Sequence, residues 1–149
     1  WEERKLGSEV VITAVPAQHD IYEINYVIKT KTECVYFAGD TRLHPDIPAI
    51  AERFAPSVAI LPVDGTRLTG GALHVMTPDD AVKATGMLGP NLKLVMPSHA
   101  EAYFSDPIAG TFLASMVPRA RFRFAELMSQ IPATKIACKV PEPGELVAF

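Results

Sequence analysis

The chain has 149 residues, of which 48% are hydrophobic and 21% charged, and its formal net charge is −3. These values are typical of one folded domain with a full hydrophobic core. The mild acidity gives no electrostatic basis for binding nucleic acid, and no apolar run is long enough to cross a membrane. We therefore expect neither a nucleic acid nor a membrane as a partner.

The first third of the sequence predicts three consecutive strands. Apolar residues dominate the segments 9–15, 23–30 and 33–38, and the polar stretch 29–32 favours a hairpin between the last two strands. Apolar residues then recur at helical spacing, which predicts an amphipathic helix. The apolar stripe of that helix consists of Ile47, Ile50, Ala51 and Phe54.

The following residues alternate strands with helices. A short apolar strand at 57–62 leads into a glycine-rich loop at 64–74. Thr77-Pro78-Asp79-Asp80 combines a capping residue, a first-turn proline and two carboxylates, which predicts the start of a helix. That helix is expected to end near Leu88, before Gly89-Pro90. We further predict a strand at 92–96, a helix from about 106 to just before 118, and closing strands at 134–140 and 145–149.

The order of these elements predicts an α/β fold in which helices cover one face of a sheet. Because no linker is evident, we expect residues 1–149 to form a single domain. Arg119, Arg121 and Arg123 alternate along the chain, a spacing that is typical of the solvated face of a strand or loop.

Three candidate metal ligands, His19, Asp40 and His99, come directly after predicted strands, in the motifs Pro-Ala-Gln-His, Gly-Asp-Thr and Pro-Ser-His. A strand that ends in histidine or aspartate places a ligand-type side chain at the sheet edge, where sites collect in α/β folds. Imidazole and carboxylate groups suit Zn²⁺, Mn²⁺ or Fe, and a carboxylate can bridge two metals. The motifs therefore predict part of a divalent-metal site.

The order of the three motifs resembles the C-terminal half of a metallo-β-lactamase-fold hydrolase. The resemblance is closest to the group that contains ascorbate-6-phosphate lactonase and N-acyl-phosphatidylethanolamine phospholipase D. In the latter, a His-Val-Asp-Pro-Glu-Asp-Ala-Val segment is similar to residues 74–82 of this chain. The resemblance implies an αββα sandwich, of which residues 1–149 supply one sheet with its covering helices.

By the same resemblance, the chain belongs to a metal-dependent hydrolase in which metal-bound hydroxide attacks an ester, lactone or phosphodiester in a small-molecule substrate. The metal is expected to be zinc, with manganese and iron as alternatives. His19 and His99 would each hold one metal, and Asp40 would bridge them. His74, at the end of the glycine-rich loop, would contact the substrate or protonate the leaving group.

The superfamily's His-x-His-x-Asp-His cluster, which supplies most of the metal ligands, does not occur in this sequence. Two other hypotheses follow. A half-domain of a sandwich exposes an apolar sheet face, so the chain could be a catalytically incomplete interaction module that pairs with the missing half or with a second copy. Alternatively, Gly70-Gly71 before the helix at Thr77 could bind phosphate, because helix N-termini hold anions.

The ends and the cysteines of the chain give two further expectations. The sequence begins with Trp1 and not with methionine, and we expect it to be part of a longer polypeptide. Cys34 and Cys138 lie far apart in apolar segments, which is typical of buried thiols and not of a disulfide framework. Reduced thiols favour a cytoplasmic location.

Overall fold

The computed structural model describes residues 1–68, 71–100, 114–132 and 135–148. Within these ranges the helices are α1 (Ile47–Phe54), α2 (Pro78–Met87) and α3 (Ala120–Ser129). The strands are β1 (Glu3–Leu6), β2 (Val10–Pro16), β3 (Ile24–Lys29), β4 (Cys34–Phe37), β5 (Val58–Pro62), β6 (Arg67–Leu68), β7 (Leu94–Ser98), β8 (Ala114–Ser115) and β9 (Ala137–Cys138).

The main sheet contains seven strands in the order β1-β2-β3-β4-β5-β7-β9, while β6 and β8 form a separate small sheet. Neighbours from β1 to β4 are antiparallel, whereas β4, β5, β7 and β9 are parallel. Because β2 and β4 both run antiparallel to β3, the strands β2, β4, β5 and β7 all point the same way. The loops that follow these four strands therefore leave the sheet at one edge.

The hydrophobic core lies between one face of the sheet and the helices. Alternate strand residues point to this face, and among them Val27, Tyr36 and Leu61 are fully buried. They belong to one cluster with Ile50 of α1 and Phe124 of α3. Burial of each large side chain contributes about 1.5–3 kcal/mol to the stability of the fold. This packing therefore fixes the positions of the strands from which the four loops leave the sheet. The predicted α/β fold, with helices on one face of a sheet, is confirmed.

The opposite face of the sheet carries partly exposed apolar side chains. Tyr26 of β3 and Phe37 of β4 pair in register and are 38% and 39% exposed. The next pair on the same face, Ile28 and Val35, is half-buried. An apolar surface of this kind on a sheet is available for packing against another layer.

The predicted strands and helices up to residue 96 are present, with boundaries shifted by a few residues. The predicted hairpin is confirmed, because β3 and β4 are antiparallel and the Thr30 amide donates to the Glu33 carbonyl at 2.9 Å. The edge strand β1 was not predicted. Its residues are all exposed and include a run of charged side chains, so the apolar alternation that marks a half-buried strand is missing.

The prediction for the alternating arginines was wrong. Arg121 and Arg123 lie in α3, and Arg119 immediately precedes that helix. The buried positions Ala120, Phe124 and Met128 follow one another at intervals of four, which is the helical repeat. The charged residues between them obscured that repeat.

The closing strands are shorter than predicted. Only Ala137–Cys138 of the segment 134–140 forms a strand among its described residues, and residues 145–148 form none. Prolines at 141 and 143 cannot donate to a ladder, which ends strand pairing there. The helix predicted from about 106 falls largely on 106–113, outside the described residues, while Ala114–Ser115 is the strand β8. None of the helices in the described part of the chain has the length and apolar character of a membrane span.

The helix start predicted at Thr77-Pro78-Asp79-Asp80 is present as the N-terminus of α2, where Thr77 and Asp80 form a capping box. The Thr77 hydroxyl accepts a hydrogen bond from the Asp80 amide at 3.2 Å, and the Asp80 carboxylate accepts from the Thr77 amide at 3.3 Å.

We predict that Thr77→Ala lowers the free energy of unfolding by about 1 kcal/mol, measured by urea denaturation. Asp79→Ala is the control, because Asp79 is exposed, and an equal loss there would contradict a specific cap.

Candidate metal centre

Four loops at one sheet edge carry ligand-type side chains. His19 follows β2, Asp40 follows β4, Asp64 follows β5 and His99 follows β7. The strands β4, β5 and β7 are neighbours, whereas β3 separates β2 from β4. The sheet order therefore brings Asp40, Asp64 and His99 together and places His19 to one side of them.

His99 is held by a buried carboxylate. Its Nδ1 lies 3.0 Å from Oδ2 of Asp64, whose side chain has no exposed surface. The other Asp64 oxygen accepts hydrogen bonds from the amide and the hydroxyl of Thr66, at 3.0 and 2.7 Å. A buried carboxylate is stable only when its oxygens are bonded in this way. Asp64 therefore fixes the ring orientation of His99.

The backbone at His99 is also constrained. Its φ of 44° lies in the left-handed region, which a residue other than glycine seldom adopts and which costs of order 1 kcal/mol or more. The Asp64 amide donates to the His99 carbonyl at 3.2 Å, so the same residue contacts both the ring and the main chain. Strain of this kind collects at functional sites.

The electrostatics of His99 follow from its two carboxylate neighbours. The hydrogen bond to Asp64 raises the pKa of His99 above its ordinary 6.5, partial burial opposes this, and the charges of Asp64 and Asp40 raise it further. In the neutral ring a proton donated from Nδ1 to Asp64 leaves the lone pair on Nε2. That Nε2 lies 3.6 Å from Oδ1 of Asp40.

The pair formed by His99 Nε2 and Asp40 Oδ1 fits a shared cation. Two atoms that each bind a tetrahedral zinc at about 2.1 Å are about 3.4 Å apart, close to the 3.6 Å observed. Such a separation is too long for a direct hydrogen bond. In the ranges that the structure describes, however, no three His, Cys, Asp or Glu side chains converge on one metal position. The described residues thus supply an incomplete set of ligands.

His19 and His74 lie close together. Their ring centroids are 5.4 Å apart, with the planes tilted by 58°. The cavity has a volume of about 210 Å³, and Asp40 and His99 line it together with these two histidines. All four predicted site residues therefore line one cavity. Its other lining residues are Thr66, Leu68 and Val75.

His74 has its own carboxylate partner. Its Nδ1 lies 3.1 Å from Oδ2 of Asp20, and the other Asp20 oxygen accepts a hydrogen bond from Arg42 at 2.6 Å. This hydrogen bond lowers the pKa of Asp20 below its usual value. Arg42 also donates to the Leu73 carbonyl at 3.0 Å, so the loop before His74 is tied to the loop that follows His19.

The loops after β2 and β4 are joined by two hydrogen bonds, one of which uses the Thr41 side chain. The Gln18 amide donates to the Thr41 hydroxyl at 2.9 Å, and the Arg42 amide donates to the Gln18 carbonyl at 2.9 Å. The Thr41 carbonyl in turn accepts from the Met76 amide at 3.0 Å. Thr41 has no exposed surface, which makes it the centre of this contact between three loops.

Sequence reasoning missed Asp64 and Asp20. The signal for Asp64 was present, because it follows a predicted apolar strand at 57–62 as the other candidates follow theirs. Asp20 gave no such signal, since its role depends on the distance between two loops. The remaining histidine, His44, is buried before α1, and burial lowers its pKa. It does not line the cavity.

The phosphate-binding hypothesis is not favoured by the N-terminus of α2. The Thr77 and Asp80 side chains already satisfy amides there. The first turn also carries two carboxylates, Asp79 and Asp80, which repel an anion. Of the two glycines in that hypothesis, Gly70 lies outside the described residues.

Comparisons with known proteins show which proteins the chain resembles. A family model for the beta-lactamase superfamily domain matches residues 1–99. The chain is 29% identical over 144 residues to a UPF0173 metal-dependent hydrolase of Ignicoccus hospitalis, covering 93% of this chain and 52% of that protein. It is 31% identical over 149 residues to a UPF0173 metal-dependent hydrolase of Thermofilum pendens, covering 96% and 54%. The chain thus spans about half the length of these curated relatives.

Solved structures show the same fold. Igni18, a metallo hydrolase from Ignicoccus hospitalis, matches with a TM-score of 0.71 and 28% identity, over 100% of this chain and 58% of that one. An isothiocyanate hydrolase from Delia radicum gut bacteria matches with a TM-score of 0.70 over 99% and 58%, and at 18% identity it supports the fold alone. The lactonase and phospholipase D group suggested by the motifs stays a prediction.

We predict that Asp64→Asn lowers the pKa of His99 more than Asp40→Asn does. The Asp64 hydrogen bond is the largest cause of the raised pKa, and the charge of Asp40 is a smaller one. The measurement is an NMR titration of the His99 ring in metal-free protein. A larger drop in Asp40→Asn would contradict the assignment.

The raised pKa also predicts a pH dependence of stability. The folded state binds the His99 proton more tightly than the unfolded state, so this contribution to stability is complete below pH 6.5 and is lost as the pH rises through the raised pKa. Urea denaturation across this pH window should show the loss in the wild-type chain and a weaker dependence in Asp64→Asn. The same slope in both would count against the mechanism.

Proposed function

The chain belongs to the beta-lactamase superfamily, and on that premise we propose that it is the part of a metal-dependent hydrolase that supplies His19, Asp40 and His99 as metal ligands. One observation carries the proposal. The ring of His99 is fixed by the buried Asp64, and its free Nε2 faces Asp40 across 3.6 Å in a cavity that His19 also lines.

The chain's own residues have distinct tasks in this proposal. His99 and Asp40, on the loops after β7 and β4, would hold one metal, and His19 would hold a second with Asp40. When bound, a divalent metal lowers the pKa of its water and so supplies a nucleophile near neutral pH. Asp64 keeps the Nε2 lone pair of His99 available, which is the usual task of a carboxylate behind a histidine ligand.

His74 is proposed as the group that contacts substrate or protonates the leaving group. Asp20 binds its Nδ1, which leaves Nε2 to hold or transfer a proton. Leu68 and Val75 line the same cavity. The substrate class is an ester, lactone or phosphodiester of a small molecule.

We propose zinc as the metal, since nitrogen and oxygen ligands suit it, with manganese and iron as alternatives. Residues 1–149 would be one domain that forms the C-terminal half of an αββα sandwich, and the remaining ligands would come from another segment. The two free cysteines of the described chain, Cys34 and Cys138, support a proposed cytoplasmic location.

The metal proposal predicts that Asp40→Asn weakens Zn²⁺ binding by at least about tenfold, measured by isothermal titration calorimetry. The matched control is Asp46→Asn, because Asp46 is an exposed carboxylate before α1 that does not line the cavity. Equal affinity in the two variants would contradict the proposed site.

A parallel assay of the zinc-loaded chain on nitrophenyl acetate, a lactone and bis-nitrophenyl phosphate, with chelator as control, tests the hydrolysis.

The exposed apolar face of the sheet favours a second candidate function, that of an interaction half-domain. Tyr26 and Phe37 pair in register on this face and are more than one-third exposed. A second sheet packed on it, from a second copy or from the other half of the fold, would bury these side chains.

The pairing hypothesis predicts that Phe37→Lys shifts the chain from dimer to monomer in sedimentation velocity, because a charge in the packed layer costs several kcal/mol when it is desolvated. Tyr22→Lys is the control, since Tyr22 lies in a loop and is 91% exposed. A monomeric wild-type chain would exclude pairing between copies, and a dimer that survives Phe37→Lys would place the interface elsewhere.

A further inference from the structure

A buried amide connects the two loops that carry His19 and Asp40. Asn25 of β3 has no exposed surface. Its Nδ2 donates to the Pro16 carbonyl at 3.1 Å and to the Tyr36 hydroxyl at 2.8 Å, and its Oδ1 accepts from the Gly39 amide at 3.1 Å. A buried amide is costly unless it is bonded, and here every bond goes to a neighbouring strand or to the loop after it.

The hydrogen bond from the Gly39 amide to Asn25 Oδ1 lies just beyond the last main-chain pair between β3 and β4. Pairing between β3 and β4 ends at Tyr26 and Phe37, and the next amide, that of Ala38, turns to the Ile60 carbonyl of β5 at 3.0 Å. The Asn25 side chain then supplies the acceptor for Gly39, which the β3 main chain does not provide. It fixes the point from which the chain turns towards Asp40.

The bond to Pro16 acts at the corresponding point of the neighbouring strand. Pro16 is the last residue of β2 and stands three positions before His19. Gly39 stands one position before Asp40. One rigid side chain therefore contacts the starting points of both loops, and β3, on which it sits, lies between their strands.

The space around Gly39 shows how closely these groups are packed. A Cβ atom added there would lie 3.2 Å from Oε1 of Glu23 and 3.9 Å from Oδ1 of Asn25. The contact with Asn25 is an ordinary van der Waals distance, and the contact with Glu23 would require only that flexible side chain to move by a few tenths of an ångström. Tyr36 completes the arrangement, because its buried hydroxyl accepts the second Nδ2 hydrogen.

We propose that Asn25 is a positioning residue that sets the separation of His19 and Asp40 through its hydrogen bonds to Pro16 and Gly39. It does not contact the metal, and its effect on metal binding rests on the proposed function. Ligand positions must be held to within about 0.5 Å for a productive site, and loss of a supporting group outside the ligands costs about tenfold to a hundredfold in metal affinity.

The test compares Asn25→Leu with Val27→Ala in the full chain. Leucine has the same branching at Cγ as asparagine, with a larger side chain, and removes its hydrogen bonds. Val27 is the matched control, since it lies two positions further along β3, faces the same way and is also fully buried. Its truncation destabilises the sheet without touching either loop.

Hydrogen exchange in metal-free protein, followed by NMR, gives the first readout. Asn25→Leu is expected to speed exchange of the Gly39 and Gln18 amides about tenfold more than Val27→Ala does. Equal exchange in the two variants would overturn the proposal. If Asn25→Leu does not fold, Asn25→Ala decides, because it removes the hydrogen bonds to both Pro16 and Gly39 without introducing a larger side chain. Faster Gly39 exchange supports the proposal, and wild-type exchange overturns it.

Zn²⁺ affinity, measured by calorimetry, gives the second readout. Asn25→Leu should bind Zn²⁺ about tenfold to a hundredfold more weakly than the wild-type chain, while Val27→Ala should keep the wild-type affinity. Equal affinity in both variants would overturn the link to metal binding. A wild-type chain that binds no Zn²⁺ would contradict the proposed function, and the exchange readout would still decide the role of Asn25.

Discussion

The hydrogen bond between Asp64 and His99 is the constraint on which the candidate centre depends. A carboxylate with no exposed surface is stable only if its oxygens are bonded, and here Thr66 satisfies one oxygen and His99 the other. The bond fixes the His99 ring, directs Nε2 towards Asp40 and raises the pKa of the imidazole. The backbone of His99 is left-handed, and the surrounding sheet must stabilise this strained conformation.

The sheet makes this arrangement available through strand direction. Since β2, β4, β5 and β7 all point the same way, their following loops collect at one edge. Within that edge, Thr41 joins the loops by hydrogen bonds, and Asn25 contacts the starting points of two of them. The packed core on one face of the sheet thus fixes the strands that carry the site, while the opposite face stays partly exposed.

Much of this was predictable from the sequence, and what was missed has physical reasons. Strand ends followed by His19, Asp40 and His99 were visible because apolar runs stop abruptly there. The same rule applied to Asp64 would have identified it as well. The network from Asp20 to His74 was not predictable, because it depends on the distance between loops. The helix α3 was missed because alternating arginines hid its buried repeat of four.

The most direct test of the proposed metal site is a crystal structure of the chain grown with Zn²⁺, with anomalous data at the zinc edge. We predict a zinc peak about 2.0–2.2 Å from both His99 Nε2 and an Asp40 carboxylate oxygen, with Asp64 still bonded to His99 Nδ1. Zinc bound elsewhere, with His99 Nε2 engaged by a protein group, would contradict it.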